Sequence, residues 1–339
     1  MAISRRTSLL AAAACIAALL GWTPAASGQE RMRVVASFSI LGDLVREIGG
    51  EYVDVATLVG PDGDAHVYEP TPADARALAR AGLLVVNGLD FEGWLPRLVK
   101  SSGFSGRQVV ASEGIVPLAW SEPGGGHEGH AGHGHHGGHD HDHDHDHGHD
   151  HDHAAGTDGH RHGELDPHAW QSLANGVIYV RNITQALEAA DPGHAAYYRQ
   201  RAGKYTARLQ ALDTRIKAEF AAIPAQRRKV VTSHDAFQYF GKAYGVEFVA
   251  PEGISTEAEA SAGDVARIVD QIRAENLAAV FVENITDRRL IEQITRETGA
   301  RVGGELYSDA LSGPDGPAAT YEQMFRHNAS QLVGAMRER

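Results

Sequence analysis

Short apolar runs alternate with segments of helical spacing along most of this chain. Residues 33–37 (Arg-Val-Val-Ala-Ser) form a run that predicts a strand. Ile40, Leu41, Leu44, Val45 and Ile48 then recur at three- and four-residue intervals, which predicts a helix closed by Gly49 and Gly50. A second strand is expected over 52–59. Thr71 as N-cap and Pro72 at the first helical position open a helix over 72–80. Strands over 83–88 and 109–112 follow. Strands alternating with helices at this spacing predict a parallel sheet covered on both faces.

The second half begins with helices over 173–189 and 195–221, separated by Asp191-Pro192-Gly193. The latter is long, with apolar positions at Tyr198, Tyr205, Leu209, Leu212, Ile216 and Phe220, and it ends before Pro224. The opening pattern then returns. Residues 229–233 (Lys-Val-Val-Thr-Ser) and an aromatic-rich helix running to Tyr244-Gly245 repeat the design of 33–49, with Ser37 and Ser233 in register. A strand over 246–249, a helix capped by Ser261 with Asp264 three residues on and running to 275, and a strand over 279–282 complete the repeat. Two α/β halves of like design joined by a long helix make a bilobal molecule. Open α/β sheets bind ligands at the carboxyl ends of their strands, so a ligand is expected in the cleft between the halves.

Composition changes this picture most between the halves. Of the 20 histidines in the 339 residues, those at His127, His130, His133, His135, His136, His139, His141, His143, His145, His147, His149, His151, His153, His160 and His162 crowd one glycine- and aspartate-rich stretch. That stretch offers nothing to bury and cannot offset its ordering entropy, so 124–163 is expected to be a disordered loop. Imidazoles beside carboxylates suit zinc, nickel and copper, which makes the loop an auxiliary metal binder; a solvated linker without a ligand is the plainer alternative. Seven Asp and Glu128 against Arg161 give the stretch a local charge of −7, roughly half of the chain's formal −13. No basic patch with interleaved aromatics occurs, which argues against nucleic acid as a partner.

The length favours two domains, and 42% hydrophobic composition is enough for real cores. At the N-terminus, Arg5 and Arg6, an apolar run over 9–20 and small residues around 26–28 read as an export signal over 1–28, too short to span a membrane. Sec and twin-arginine routes both fit. The only cysteine, Cys15, lies inside the apolar run, so the exported chain is expected to have no disulfide and no thiolate ligand. Any defined metal site must then use His and carboxylate. The domain division that follows is a signal over 1–28, an N-terminal lobe over 29–172, a helical linker over 173–223 and a C-terminal lobe over 224–339.

Five histidines lie outside the loop. His66 follows the second strand in a turn-rich segment, His234 directly follows the strand ending at Ser233, and His168 lies where the chain leaves the loop and enters the helices. Each sits at an expected strand end or lobe entrance, although a single histidine in such a place is more often structural. His194 and His327 are expected on the surface. Asp64, Asp166 and Asp235 stand beside the three histidines, and each either orients an imidazole or caps a turn or helix.

The segments GPDGDAHVYEP (60–70), DPHAW (166–170), SHDAFQYF (233–240), GISTEAEAS (253–261) and YSDALS (307–312), in this order and with a histidine-rich insertion before DPH, resemble the zinc solute-binding proteins of bacterial ABC importers, cluster A-I, the ZnuA and AztC type. The resemblance covers the chain from about residue 33 to the C-terminal helix. It implies two Rossmann-like lobes bridged by one long rigid helix, here 195–221. It places the metal ligands on His66, His168, His234 and Asp309, the last at a position that some zinc members leave to water or glutamate. Three imidazoles and one carboxylate make a closed tetrahedral zinc site, whereas manganese members place more oxygen around the ion. The implied function is periplasmic capture of Zn2+ by a monomer and delivery to an ABC permease, with a periplasmic zinc metallochaperone as a further partner. A zinc buffer acting through the loop is the alternative. A zinc hydrolase is disfavoured by the lack of an HExxH segment and of an evident general base.

Overall fold

A computed structural model describes residues 31–120, 165–275, 277 and 279–337. The export signal with Cys15 and the histidine-rich loop with its fifteen histidines lie outside the described residues. The first sheet takes β1 (Met32–Phe38), β2 (Val53–Val59), β3 (Leu83–Val86) and β4 (Arg107–Val110), all parallel, in the order β2-β1-β3-β4. The second takes β5 (Lys229–Val231), β6 (Glu247–Val249), β7 (Ala279–Glu283) and β8 (Arg301–Leu306), also parallel, in the corresponding order β6-β5-β7-β8. The repeat seen in the sequence is therefore a repeat of topology.

Strand alternation explains how each sheet is covered twice. In β1, Val35 joins Leu84 and Val86 of β3 on one face, packed by Leu78 of α2 (Pro72–Ala79) and by Leu95 and Leu98 of α3 (Leu95–Ser102). Val34 and Ala36 point the other way, into a core with Leu41, Leu44 and Ile48 of α1 (Ser39–Gly49). In the second lobe Val231, Val280 and Val282 meet α7 (Ala262–Glu275) and α8 (Arg288–Thr298). The opposite face joins the same central core as the first lobe's inner face. That core includes residues of α4 (Leu173–Ala190), α5 (Ala195–Ala221), α6 (Gln238–Tyr244) and α9 (Tyr321–Arg337).

The long helix α5 has the bounds its pattern predicts, and all six of its apolar positions are buried. Its 27 residues extend for about 40 Å. The capping box at α2 is also present: Thr71 Oγ1 accepts from the Asp74 N–H, and the Asp74 carboxylate accepts from the Thr71 N–H. Three strands stop two residues earlier than expected: β4 ends at Val110, and in the other two a carboxylate takes up the backbone N–H groups beyond the end. β3 ends at Val86 because the Asn87 and Gly88 N–H groups donate to the Glu92 carboxylate. β5 ends at Val231, and the Ser233 and His234 N–H groups donate to Glu283 Oε1. Buried carboxylates thus turn both chains out of their sheets.

Candidate metal centre

The carboxyl ends of both sheets face one another, and four side chains converge there. His66 lies on the loop after β2. His234 stands three residues beyond β5, beside the point where the strand order of the second sheet reverses. His168 precedes a short 3-10 turn, Ala169–Gln171, that leads into α4. Asp309 stands three residues beyond β8.

One ligating atom from each of the four lies within 4.8 Å of every other. His66 Nε2 is 3.2 Å from Asp309 Oδ2, and His234 Nε2 is 3.2 Å from the same oxygen. His168 Nε2 is 3.6 Å from Asp309 Oδ1 and 3.4 Å from His66 Nε2. A tetrahedral ion with bonds of about 2.0–2.2 Å has ligand-to-ligand edges of about 3.3–3.6 Å; these four separations lie near that length and all four ligating atoms lie within 4.8 Å, so the four side chains can reach one ion. His168, His234 and Asp309 are fully buried, and His66 is nearly so. Among the described residues neither Asp309 oxygen, nor either ring nitrogen of His234, nor Glu283 Oε2 has a partner with hydrogen-bond geometry, although His234 Nδ1 and Glu283 Oε2 lie within ion-pair distance of each other. Buried polar atoms normally have partners, so a cluster of donors aimed at one point and left without them is suited to a cation.

The surroundings fix ring orientation and charge. Asp166 Oδ1 lies 2.8 Å from His168 Nδ1 and also accepts the His168 N–H. Glu283 Oε2 lies 2.7 Å from His234 Nδ1 while its Oε1 holds two backbone N–H groups. With a carboxylate oxygen 2.7–2.8 Å from the outer nitrogen of the His168 and His234 rings, Nε2 of each is left to face the cluster. Burial alone would lower the His168 pKa, but the Asp309 and Asp166 carboxylates more than reverse it, raising it to about 9. His234 follows the same logic: burial lowers it, and Glu283 and Asp309 lift it well above the ordinary histidine value. Burial would raise Asp309, yet His168 and His234 hold it well below the usual carboxylate range. Three carboxylates in a water-excluded pocket thus favour positive charge at its centre, whether as protons or as a metal ion.

Cross-lobe hydrogen bonds set the spacing. The Ser308 carbonyl accepts from Trp170 Nε1 at 2.9 Å and from Gln171 Nε2 at 2.6 Å, tying the Asp309 segment to the His168 segment. The Leu311 N–H donates to Ser39 Oγ at 2.9 Å. Phe91 and Trp170 pack against the His168 ring and keep water from that side.

Of the three acids beside the histidines in sequence, only Asp166 meets an imidazole. Asp64 accepts the His66 N–H, and Asp235 accepts from Gln238 Nε2. The partner of His234 is instead Glu283, whose only signal in sequence is an acid at the end of the buried run 279–282. His194 and His327 depart from the surface expectation and are half-buried. His194 Nδ1 meets Asp191 at 2.7 Å and its ring stacks on Tyr52, because the Pro192–His194 turn folds it back over α1's exit. His327 Nε2 meets the Glu305 carbonyl at 2.9 Å, because α9 lies along β8.

The sequence profile of a family described as the periplasmic zinc-uptake complex component A, ZnuA, matches residues 34–335. The iron-binding protein YfeA of Yersinia pestis is 32% identical over 292 residues, covering 86% of this chain and 82% of that protein. The manganese-binding lipoprotein MntA of Halalkalibacterium halodurans is 32% identical over 308 residues, covering 91% and 89%. Among solved structures, the periplasmic zinc-binding protein TroA from Treponema pallidum superposes with a TM-score of 0.75 at 27% identity, covering 91% of this chain and 99% of that one.

Proposed function

This chain belongs to the ZnuA family of periplasmic metal-binding components of uptake systems, and from that premise we propose that it captures Zn2+ and hands it to an ABC permease. The observation that carries zinc is the donor set: three imidazoles and one carboxylate whose ligating atoms converge within 4.8 Å. His66, His168, His234 and Asp309 are the ligands in this reading. Imidazole nitrogen suits zinc better than the harder manganese ion, which takes more oxygen. Residues 1–28 direct export by the Sec or twin-arginine route, and the chain works in the periplasm as a monomer, loaded from solution or by a zinc metallochaperone. The fifteen loop histidines are weak auxiliary binders that concentrate zinc near the rigid site. Catalysis has no place in this scheme, since the carboxylate closes the fourth position that a hydrolytic zinc keeps open for water.

The names of the iron- and manganese-binding relatives give the second reading, a manganese or iron carrier, in which both Asp309 oxygens coordinate. Untagged protein should be analysed for metal and then titrated with zinc, manganese and iron(II) against a competing chelator. One tight zinc equivalent, lost in the His66→Ala, His168→Ala and His234→Ala variants and weakened in Asp309→Ala, supports the proposal. Tighter retention of manganese or iron than of zinc would favour the second reading. Deleting 124–163 separates carriage from buffering: the tight equivalent should remain and only weak equivalents disappear.

A further inference from the structure

The loop 60–66 belongs to the first lobe, where Trp94 Nε1 donates to the Ala65 carbonyl at 2.8 Å, yet three of its hydrogen bonds are made with the second. The Asp62 N–H donates to the Leu311 carbonyl at 2.9 Å, and Asn284 Nδ2 donates to Asp62 Oδ1 at 3.0 Å. Asp62 has a left-handed backbone, with φ of 54°, which a non-glycine residue adopts only when its surroundings hold it there. Two residues on, the Asp64 carboxylate is shared. Its Oδ1 accepts the His66 N–H at 2.9 Å, and its Oδ2 accepts from Thr256 Oγ1 at 2.6 Å. Thr256 lies on the segment after β6, which is itself tied to the His234 segment: the Asp235 N–H donates to the Gly253 carbonyl and the Glu252 N–H to the Ser233 carbonyl.

His66 is also the exposed corner of the cluster. A cavity of about 780 Å³ opens beside it, walled by Tyr68, Phe91, Trp94 and Ile254, and none of the other three converging residues lines it. An ion entering or leaving through this cavity therefore passes His66 first. The remaining corners are held from within by Asp166, Glu283 and the Ser308 carbonyl. No carboxylate meets the His66 ring's outer nitrogen among the described contacts; its backbone is held by Asp64 and, one residue earlier, by Trp94 of its own lobe.

We propose that Thr256 is a positioning residue that sets how long the metal stays bound: by holding Asp64 across the lobe boundary it keeps the His66 loop closed, with Asn284 as a second clasp on Asp62. The inference rests on the metal reading above and adds the step by which the site opens. Metal release then needs only the loop 60–66 to swing from the second lobe, while both sheets stay in place. A single hydrogen bond to a charged acceptor accounts for roughly tenfold or more in such an equilibrium. Thr256→Val removes the hydroxyl and keeps the shape, whereas Thr256→Ser keeps the hydroxyl.

Two measurements on the full chain test this. The first is amide hydrogen exchange over 60–67 in the metal-free protein; the second is the rate of zinc loss to excess chelator. Thr256→Val is expected to speed exchange in that segment and zinc loss by about tenfold, with the melting temperature of the metal-free protein unchanged. Thr256→Ser should match the parent in both, and adding Asn284→Ala to Thr256→Val should speed both further. Unchanged exchange and unchanged zinc loss in Thr256→Val would overturn the proposal, as would equal acceleration by Thr256→Ser. A parent that holds no zinc would instead defeat the metal reading, and the exchange comparison would still decide whether Thr256 holds the loop.

Discussion

Glu283 carries more of the site than any residue outside the four that converge. One oxygen fixes the His234 ring and the other fixes the backbone that carries it. Glu283→Gln keeps the shape but removes the charge that holds His234 Nδ1, so zinc affinity should fall about 10- to 100-fold. Chelator competition would measure this, and an unchanged affinity would show that Glu283 serves only the backbone. The three histidines stand out in sequence because only five lie outside the loop and these three sit at expected strand ends or the entrance to the helices, whereas Asp309 is reached only through the family resemblance. Glu283 does not stand out, because its role exists only once β7 lies beside β5, a pairing that no local pattern encodes. Protons and zinc compete for the same nitrogens. With the His168 pKa raised to about 9, zinc must displace a proton at neutral pH, so affinity should rise steadily from pH 6.5 to 9, by about tenfold per unit for each proton displaced. The metal-free protein should respond in the opposite sense. A folded-state pKa above the unfolded value of about 6.5 gives stability that is complete below pH 6.5 and lost as pH rises through about 9. Melting temperature with chelator present and zinc affinity should thus move in opposite directions over one pH window. A flat affinity from pH 6.5 to 9 would contradict displacement of a proton from His168.

Elements whose apolar stripe is wide were visible before the fold, and those that lean on a neighbour were not. α5 shows its bounds because six apolar residues mark one face over seven turns. α8 reads Arg-Arg-Leu-Ile-Glu-Gln-Ile-Thr-Arg-Glu-Thr, with only Leu290, Ile291 and Ile294 to face the sheet, and its stripe is lost among charges. β8 reads Arg-Val-Gly-Gly-Glu-Leu and lacks the apolar run of a buried strand. The reason is packing. A Cβ at Gly303 would lie 2.6 Å from the Phe281 ring, and the register between β7 and β8 shifts at Val280/Phe281, where this ring occupies the space. The glycine that hides the strand from a pattern search is thus the one that lets it pair. Gly303→Val should cost about 1–3 kcal/mol of stability, read as a lower urea midpoint. It should also weaken zinc binding, since β8 leads directly to Asp309. An unchanged midpoint would show that Phe281 can turn aside.

The two lobes were expected to be linked by a rigid helix, and the structure adds a stronger reason for rigidity. The inner faces of both sheets, α1, α5 and α9 contribute to one continuous apolar core. Phe38 and Trp170 of the first half and Phe240, Phe281 and Phe325 of the second are all buried in it. Opening a hinge between the lobes would expose part of that core, and each large side chain brought into water costs about 1.5–3 kcal/mol. Releasing one loop breaks only a few hydrogen bonds. Local opening therefore has the lower cost, and zinc should come and go with the lobes fixed. Small-angle scattering of metal-free and zinc-loaded protein should give radii of gyration that agree to about 1 Å or better, as in pre-organised complexes. Exchange protection gained on zinc binding should be concentrated at 60–67, 166–171 and 252–256. A contraction of several ångströms, or protection gained throughout α5 and α9, would mean that the lobes part after all and that the shared core gives way before the His66 loop does.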